Sequence, residues 1–176
     1  MKKLVLLTIA AAVLMIPTFA AAQTATGTLT VTATVNSSIS LVFNSDVAGV
    51  ALSAGAGTNT ATLNFGNVSA FGAVAAGITR STTATTFTVS TPVDVLVTKA
   101  NSASANYTLK AQLGAADAVN TWQVGGTTVT NAAQATITAT GAYGSNVAEA
   151  IALTVPFTTA NATAISNTIN FTATAN

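Results

Sequence analysis

The chain has 176 residues, half of them hydrophobic, with five basic and four acidic side chains and neither His nor Cys. That length supports one domain with a real core. The missing His and Cys remove the commonest general base, the thiolate nucleophile and most zinc sites, and no disulfide can staple the fold. Two of the basic residues, Lys2 and Lys3, open the chain; beyond them Arg80, Lys99 and Lys110 face Asp46, Asp94, Asp117 and Glu149. So even a balance offers no basic footprint for nucleic acid and no charged stripe for lipid headgroups. Disorder is not expected either, because β-branched and other apolar residues abound.

Lys2-Lys3, the apolar run 4–16, Pro17 and the small residues Ala20-Ala21-Ala22 have the order of a secretory signal peptide, with cleavage after Ala22 or after Ala20. The apolar run is short for a bilayer span, so no membrane insertion is expected once it is removed. No Cys follows it, which excludes a lipid-modified N-terminal cysteine. The expected organisation is a signal peptide over 1–22, an N-terminal strand segment over 23–36, and one all-β domain over 37–176.

The first element after the signal is Gly-Thr-Leu-Thr-Val-Thr-Ala-Thr-Val, residues 27–35. Leu29, Val31, Ala33 and Val35 alternate with Thr28, Thr30, Thr32 and Thr34, the period of a strand with one apolar and one polar face. Asn36-Ser37-Ser38 marks a bend, and Ile39, Leu41 and Phe43 alternate again. Residues 44–59 are rich in Gly, Ala, Ser and Asn and read as a loop. Residues 60–65 predict a short strand with Ala61, Leu63 and Phe65 inward; 68–80 predict a loop with one edge strand.

Residues 82–90 predict a strong strand that Thr91-Pro92 breaks, with Val93, Val95 and Val97 beginning the next. Tyr107, Leu109, Ala111 and Leu113 alternate on another. Gly125-Gly126, between Trp-Gln-Val and Thr-Thr-Val, predicts a tight hairpin. Further strands are expected around Ala135, Ile137 and Ala139, over 150–157, and over 165–175. No stretch sustains helical periodicity. Short strands punctuated by turns predict a β-sandwich or barrel.

The chemical inventory is sparse. Asp94 faces outward if Val93 and Val95 face inward, Asp46 and Asp117 fall in loops, and Glu149 stands at a strand start. All four carboxylates read as solvated surface charges rather than a hydrolytic pair. No Asp/Asn cluster has calcium-loop spacing, the Gly-rich loops lack a phosphate-cradle ending, and no enzyme, metal or cofactor is expected. Tyr107 reads as core. Trp122 is a candidate for stacking on a ligand such as a sugar, with core packing as the plainer alternative.

Several pieces together resemble one family. The strand at 27–35 follows the signal, then come Leu63-Asn64-Phe65-Gly66 and Ser90-Thr91-Pro92-Val93-Asp94-Val95, and 167–173 reads Asn-Thr-Ile-Asn-Phe-Thr-Ala. In this order they resemble the spore coat U-like family, which includes major subunits of archaic chaperone–usher pili. The resemblance implies an immunoglobulin-like β-sandwich that lacks its last strand and is completed by a donor strand from a neighbouring subunit. Gly27, Leu29, Val31, Ala33 and Val35 would be the donor residues. Ile169, Phe171 and Ala173 would border the acceptor groove. The implied partners are identical subunits, a periplasmic chaperone and an outer-membrane usher, and the implied location is a cell-surface filament reached through the periplasm. The family usually carries a cysteine pair; Ser38 and a residue near Ser90 stand about where its members would be.

The residues alone leave two readings open. Strand edges are normally blunted with Lys, Pro or bulges, and this chain has few of either residue. Either the edges are meant to be used, in a fibre built by strand donation, or the chain is a self-contained secreted coat, surface or carbohydrate-binding sandwich whose first strand pairs at home.

Overall fold

The structure is a computed structural model and describes residues 25–176. The signal-peptide reading over 1–22 lies outside them. Among the described residues there are nine strands and no helix: β1 Ser38–Ser45, β2 Thr79–Thr82, β3 Thr86–Ala100, β4 Tyr107–Leu113, β5 Thr121–Val124, β6 Thr127–Val129, β7 Ala135–Gly141, β8 Asn146–Pro156 and β9 Ile169–Ala175. They form two antiparallel sheets. One runs β1-β3-β8-β5-β6 with β2 also on β3; the other runs β7-β4-β9.

The two sheets enclose the core, as period two requires when one face of each strand is buried. Val89, Val93, Val95 and Val97 of β3 and Ile151, Leu153 and Val155 of β8 are buried on one side; Tyr107, Leu109, Ala111 and Leu113 of β4 are buried on the other. The all-β expectation and the inward set of β4 hold. The hairpin holds as well: Gly125 and Gly126 carry φ of 56° and 78° and join β5 to β6. Successive positive φ values make the twist of such a turn match that of its strands, and glycine adopts them without strain.

Three expectations are corrected. The chain divides after Thr34, and residues 25–37 belong to no strand. Leu29, Val31 and Val35 are 88%, 80% and 74% exposed. Alternation records which side chains share a face, not which strand they pair with, and here 27–35 has no ladder. Residues 60–65 form only a single bridge, Ala54 with Thr62, with Leu63 and Phe65 half-buried against the core. In Leu63-Asn64-Phe65-Gly66 the Asn64 Oδ1 accepts from Gly66 N–H at 2.7 Å, a side-chain turn that competes with a strand.

The third correction is Pro92, which does not end a strand but sits within β3, the longest one. Proline has no N–H to give a ladder, so it needs an edge without a partner. That edge exists because β1 stops with Ser45 opposite Val93 and β2 pairs no further than Thr79 opposite Ser90. The 49–50 loop fills the gap instead. Val50 N–H donates to the Oγ1 of buried Thr91 at 2.7 Å. Gly49 lies so close that a Cβ on it would stand 2.2 Å from the Pro92 carbonyl oxygen.

The strand register keeps apart the two positions noted for the family's cysteine pair. Ser38 is opposite Ala100, whereas Ser90 is opposite Thr79 and Ala152. Ten residues of β3 separate the two levels, on the order of 30 Å, far beyond what a disulfide can bridge.

Candidate functional site

β9 hydrogen-bonds along one side only, to β4, with Ile169 opposite Leu113 and Ala175 opposite Tyr107. Among the described residues its other edge has no strand beside it. β1 is likewise paired with β3 along one edge. Its other edge is engaged by backbone only at Phe43, which donates to Thr58 O at 2.9 Å and accepts from Gly57 N–H at 2.7 Å.

Between β1 and β9 the sandwich is open. A groove of about 1910 Å³ runs there, floored by core residues such as Phe87, Val95, Leu153 and Val155, and walled by the irregular segments 57–71 and 157–168. This is larger than the ~300–1,000 Å³ of a small-molecule pocket. No charged side chain is among the described residues lining it.

The expected acceptor residues lie on β9, whose alternating burial puts Ile169, Phe171 and Ala173 toward the core. Ile169 and Phe171 line the groove. Ala173 packs instead with Val95, Val97, Tyr107 and Leu109 at the other end of the core. The Phe171 ring meets the Phe43 ring edge-on, centroids 5.2 Å apart, which ties β9 to β1 at one level. Sequence reasoning missed the groove's far wall. Phe65, Val68 and Ala70 pack against the core, but Phe71 and Phe157 stay 73% and 38% exposed while lining the groove.

Of the two readings of Trp122, core packing is the one its burial favours: it is 7% exposed. Its indole N–H donates to Asp117 Oδ2 at 2.8 Å, so its polar tip is already satisfied. Asp117 also accepts from the N–H groups of Val119 and Asn120, at 3.0 and 2.9 Å, and from the Asn120 side-chain amide. Burial pushes its carboxyl upward, but the bonds from Asn120, Trp122 and Val119 outweigh that and hold it down at about 2.

The other carboxylates are dispersed. Asp94 accepts from Asn146 Nδ2 at 3.0 Å; burial, then the charge of Asp46, raises its pKa. Among the described residues, no three His, Cys, Asp or Glu side chains come together as a metal set. Tyr143 lies against Tyr107, donates to Asn106 O at 3.1 Å and carries the Lys99 ammonium 5.1 Å from its ring centre. These contacts close off one end of the sandwich, and Lys99 also donates to Ser104 O.

Glu149 is a further correction. It is not solvated: it is 6% exposed and faces inward from β8 between Val147 and Ile151. Its one hydrogen bond is a long one from Thr138 Oγ1, 3.5 Å. Burial pushes its pKa above the ordinary value, against a smaller lowering by Thr138. A carboxyl raised on folding favours the native state most when protonated, so stability declines as pH rises from about 4.5 through the folded pKa. Glu149→Gln is therefore expected to stabilise the domain at pH 7 by about 1–3 kcal/mol and to have little effect at pH 4. Urea unfolding of both proteins at the two pH values measures this; equal shifts at both would contradict it.

Compared with protein-family models, with curated proteins and with solved structures, the chain matches none.

Proposed function

We propose that this chain is a structural subunit of a cell-surface fibre, a pilus, that polymerises by donating its N-terminal strand. On this reading the domain is an incomplete immunoglobulin-like sandwich. Residues 27–35 of one copy enter the groove between β1 and β9 of the next, lying along the unpaired edge of β9. Leu29, Val31, Ala33 and Val35 then face the core, and the threonines between them face solvent.

The observation that supports it best is the bare edge of β9 beside an open, uncharged groove. A strand added to such an edge is held by main-chain hydrogen bonds and specified by alternate side-chain pockets. The segment suits it in chemistry: residues 23–37 carry no charge, so neither partner has a charge to desolvate. Nine residues of strand span about 30 Å, enough to run the length of β9 and beyond.

Burying Leu29, Val31 and Val35 contributes about 1.5–3 kcal/mol each, and each ladder bond about 1 kcal/mol more. These gains oppose the cost of ordering the segment. The contact is head-to-tail and does not close on itself, so it propagates as a fibre rather than stopping at a dimer. The same reading assigns secretion through a periplasm, a chaperone that lends the absent strand, and an outer-membrane usher.

Electron microscopy of the purified protein tests the proposal. The chain beginning at Gln23 is expected to form filaments, and the chain beginning at Asn36 to form none, remaining monomeric or aggregating without order. Regular filaments from the shorter chain would refute strand donation.

A further inference from the structure

We infer that Arg80 is a positioning residue for the groove, holding Phe71 against Phe157 so that the two rings form an aromatic clamp on the inserted strand. The inference rests on the strand-donation reading, with residues 23–35 of a second copy as the occupant.

Arg80 lies on β2, and its guanidinium donates to two backbone carbonyls of one turn: Nη1 to Ser69 O at 2.9 Å and Nη2 to Gly72 O at 2.8 Å. Ser69 Oγ closes the same turn by donating to Phe71 O at 2.7 Å. The Phe71 ring reaches the Phe157 ring at 5.9 Å, and Phe157 stacks on Phe87 of β3 at 6.4 Å. All three rings line the groove, so a single row of aromatics runs from the core outward at one end of it.

Two features separate this row from ordinary packing. Phe71 is 73% exposed, which gives the isolated domain little from its burial. A large ring held at the mouth of an uncharged groove is what an apolar anchor of a partner strand would meet. Arg80 is also one of only three basic residues after the signal region, and it fixes a loop rather than pairing a carboxylate. The planar fork reaches both carbonyls at once, a geometry that Lys does not reproduce.

The test uses a synthetic peptide of residues 23–35 carrying a fluorescent label, titrated by anisotropy against the purified full chain bearing Val31→Asp, whose groove no neighbour's strand fills; every further substitution is made in that background. Phe71→Ala is expected to weaken binding at least tenfold, and Arg80→Met at least threefold with Arg80→Lys little better. Because Phe71 is exposed, its removal leaves the core intact, and the urea midpoint without peptide is expected to stay near that of the unaltered chain. If Arg80 acts through Phe71, the double variant binds no more weakly than Phe71→Ala alone. Unchanged binding by Phe71→Ala, or losses that add in the double variant, would overturn the clamp while leaving strand donation standing. Failure of the peptide to bind the Val31→Asp chain without further substitution would instead overturn strand donation itself, and the clamp with it.

Discussion

Val31→Asp is expected to abolish assembly while leaving the unfolding of the domain unchanged. In the free chain Val31 is 80% exposed and in no strand, so a carboxylate there costs the monomer almost nothing. Once inserted, the same position would bury an ion among Phe, Leu and Val side chains with no cation in the groove lining. The variant forfeits about 1.5–3 kcal/mol of apolar burial and adds several kcal/mol of ion desolvation. At 1.4 kcal/mol per tenfold, the strand's affinity falls by at least about a thousandfold. Thr30→Asp is the control: one residue away on the solvent-facing side, it is expected to assemble nearly as well as the unaltered chain. Light scattering and filament counts under identical conditions decide between them. Equal loss for the two variants would mean that the segment does not bind as a two-faced strand.

The second large effect is expected at Trp122. Truncation to Ala removes a buried indole packed among the main core residues and should cost about 3–5 kcal/mol, a large share of the ~5–15 kcal/mol of a typical domain. Asp117→Ala is expected to cost about 2–3 kcal/mol, because it leaves the indole N–H and two backbone N–H groups without their charged acceptor. The two losses should not add, since the Trp122–Asp117 bond is counted in both. The pH dependence has the opposite sign to that at Glu149. Asp117 titrates at about 2 in the folded chain against an ordinary value of 3.8. Its contribution is therefore complete above about pH 4 and disappears as pH falls toward 2. Urea midpoints from pH 5 down to 2 should drop steeply for the unaltered chain and less so for Asp117→Ala. Parallel curves would show that Asp117 is not the acid-sensitive group.

The strands that were legible in the sequence are those whose period-two pattern coincides with burial on one face, such as 107–113 and the hairpin marked by Gly125-Gly126. What was not legible depended on partners distant in the chain. Pro92 reads locally as a breaker, and only the end points of β1 and β2 leave the unpaired edge that admits it. Leu63 and Phe65 alternate as a strand would, but no neighbour pairs with them, so they serve as wall rather than ladder. Glu149 was misplaced for a different reason. It has the same parity as Ile151, Leu153 and Val155, and extending that alternation backwards by one step puts it inside. The charge was read in preference to the phase. The inward placement of Ile169 and Phe171 was legible because the inward face of β9 is continuous; that of Phe71 was not, because a ring held by Arg80 from another segment leaves no local signature.

β1 begins at Ser38, and only Asn36 and Ser37 separate it from Val35. Three Cα steps reach at most about 11 Å. In a fibre built by strand donation that short tether joins consecutive bodies almost flush, with no room for a swivel. Bending would have to open one sandwich or stretch the tether, so the assembly should resemble a stiff rod rather than beads on a string. A pull along its axis would be borne by the whole ladder on β9 in shear.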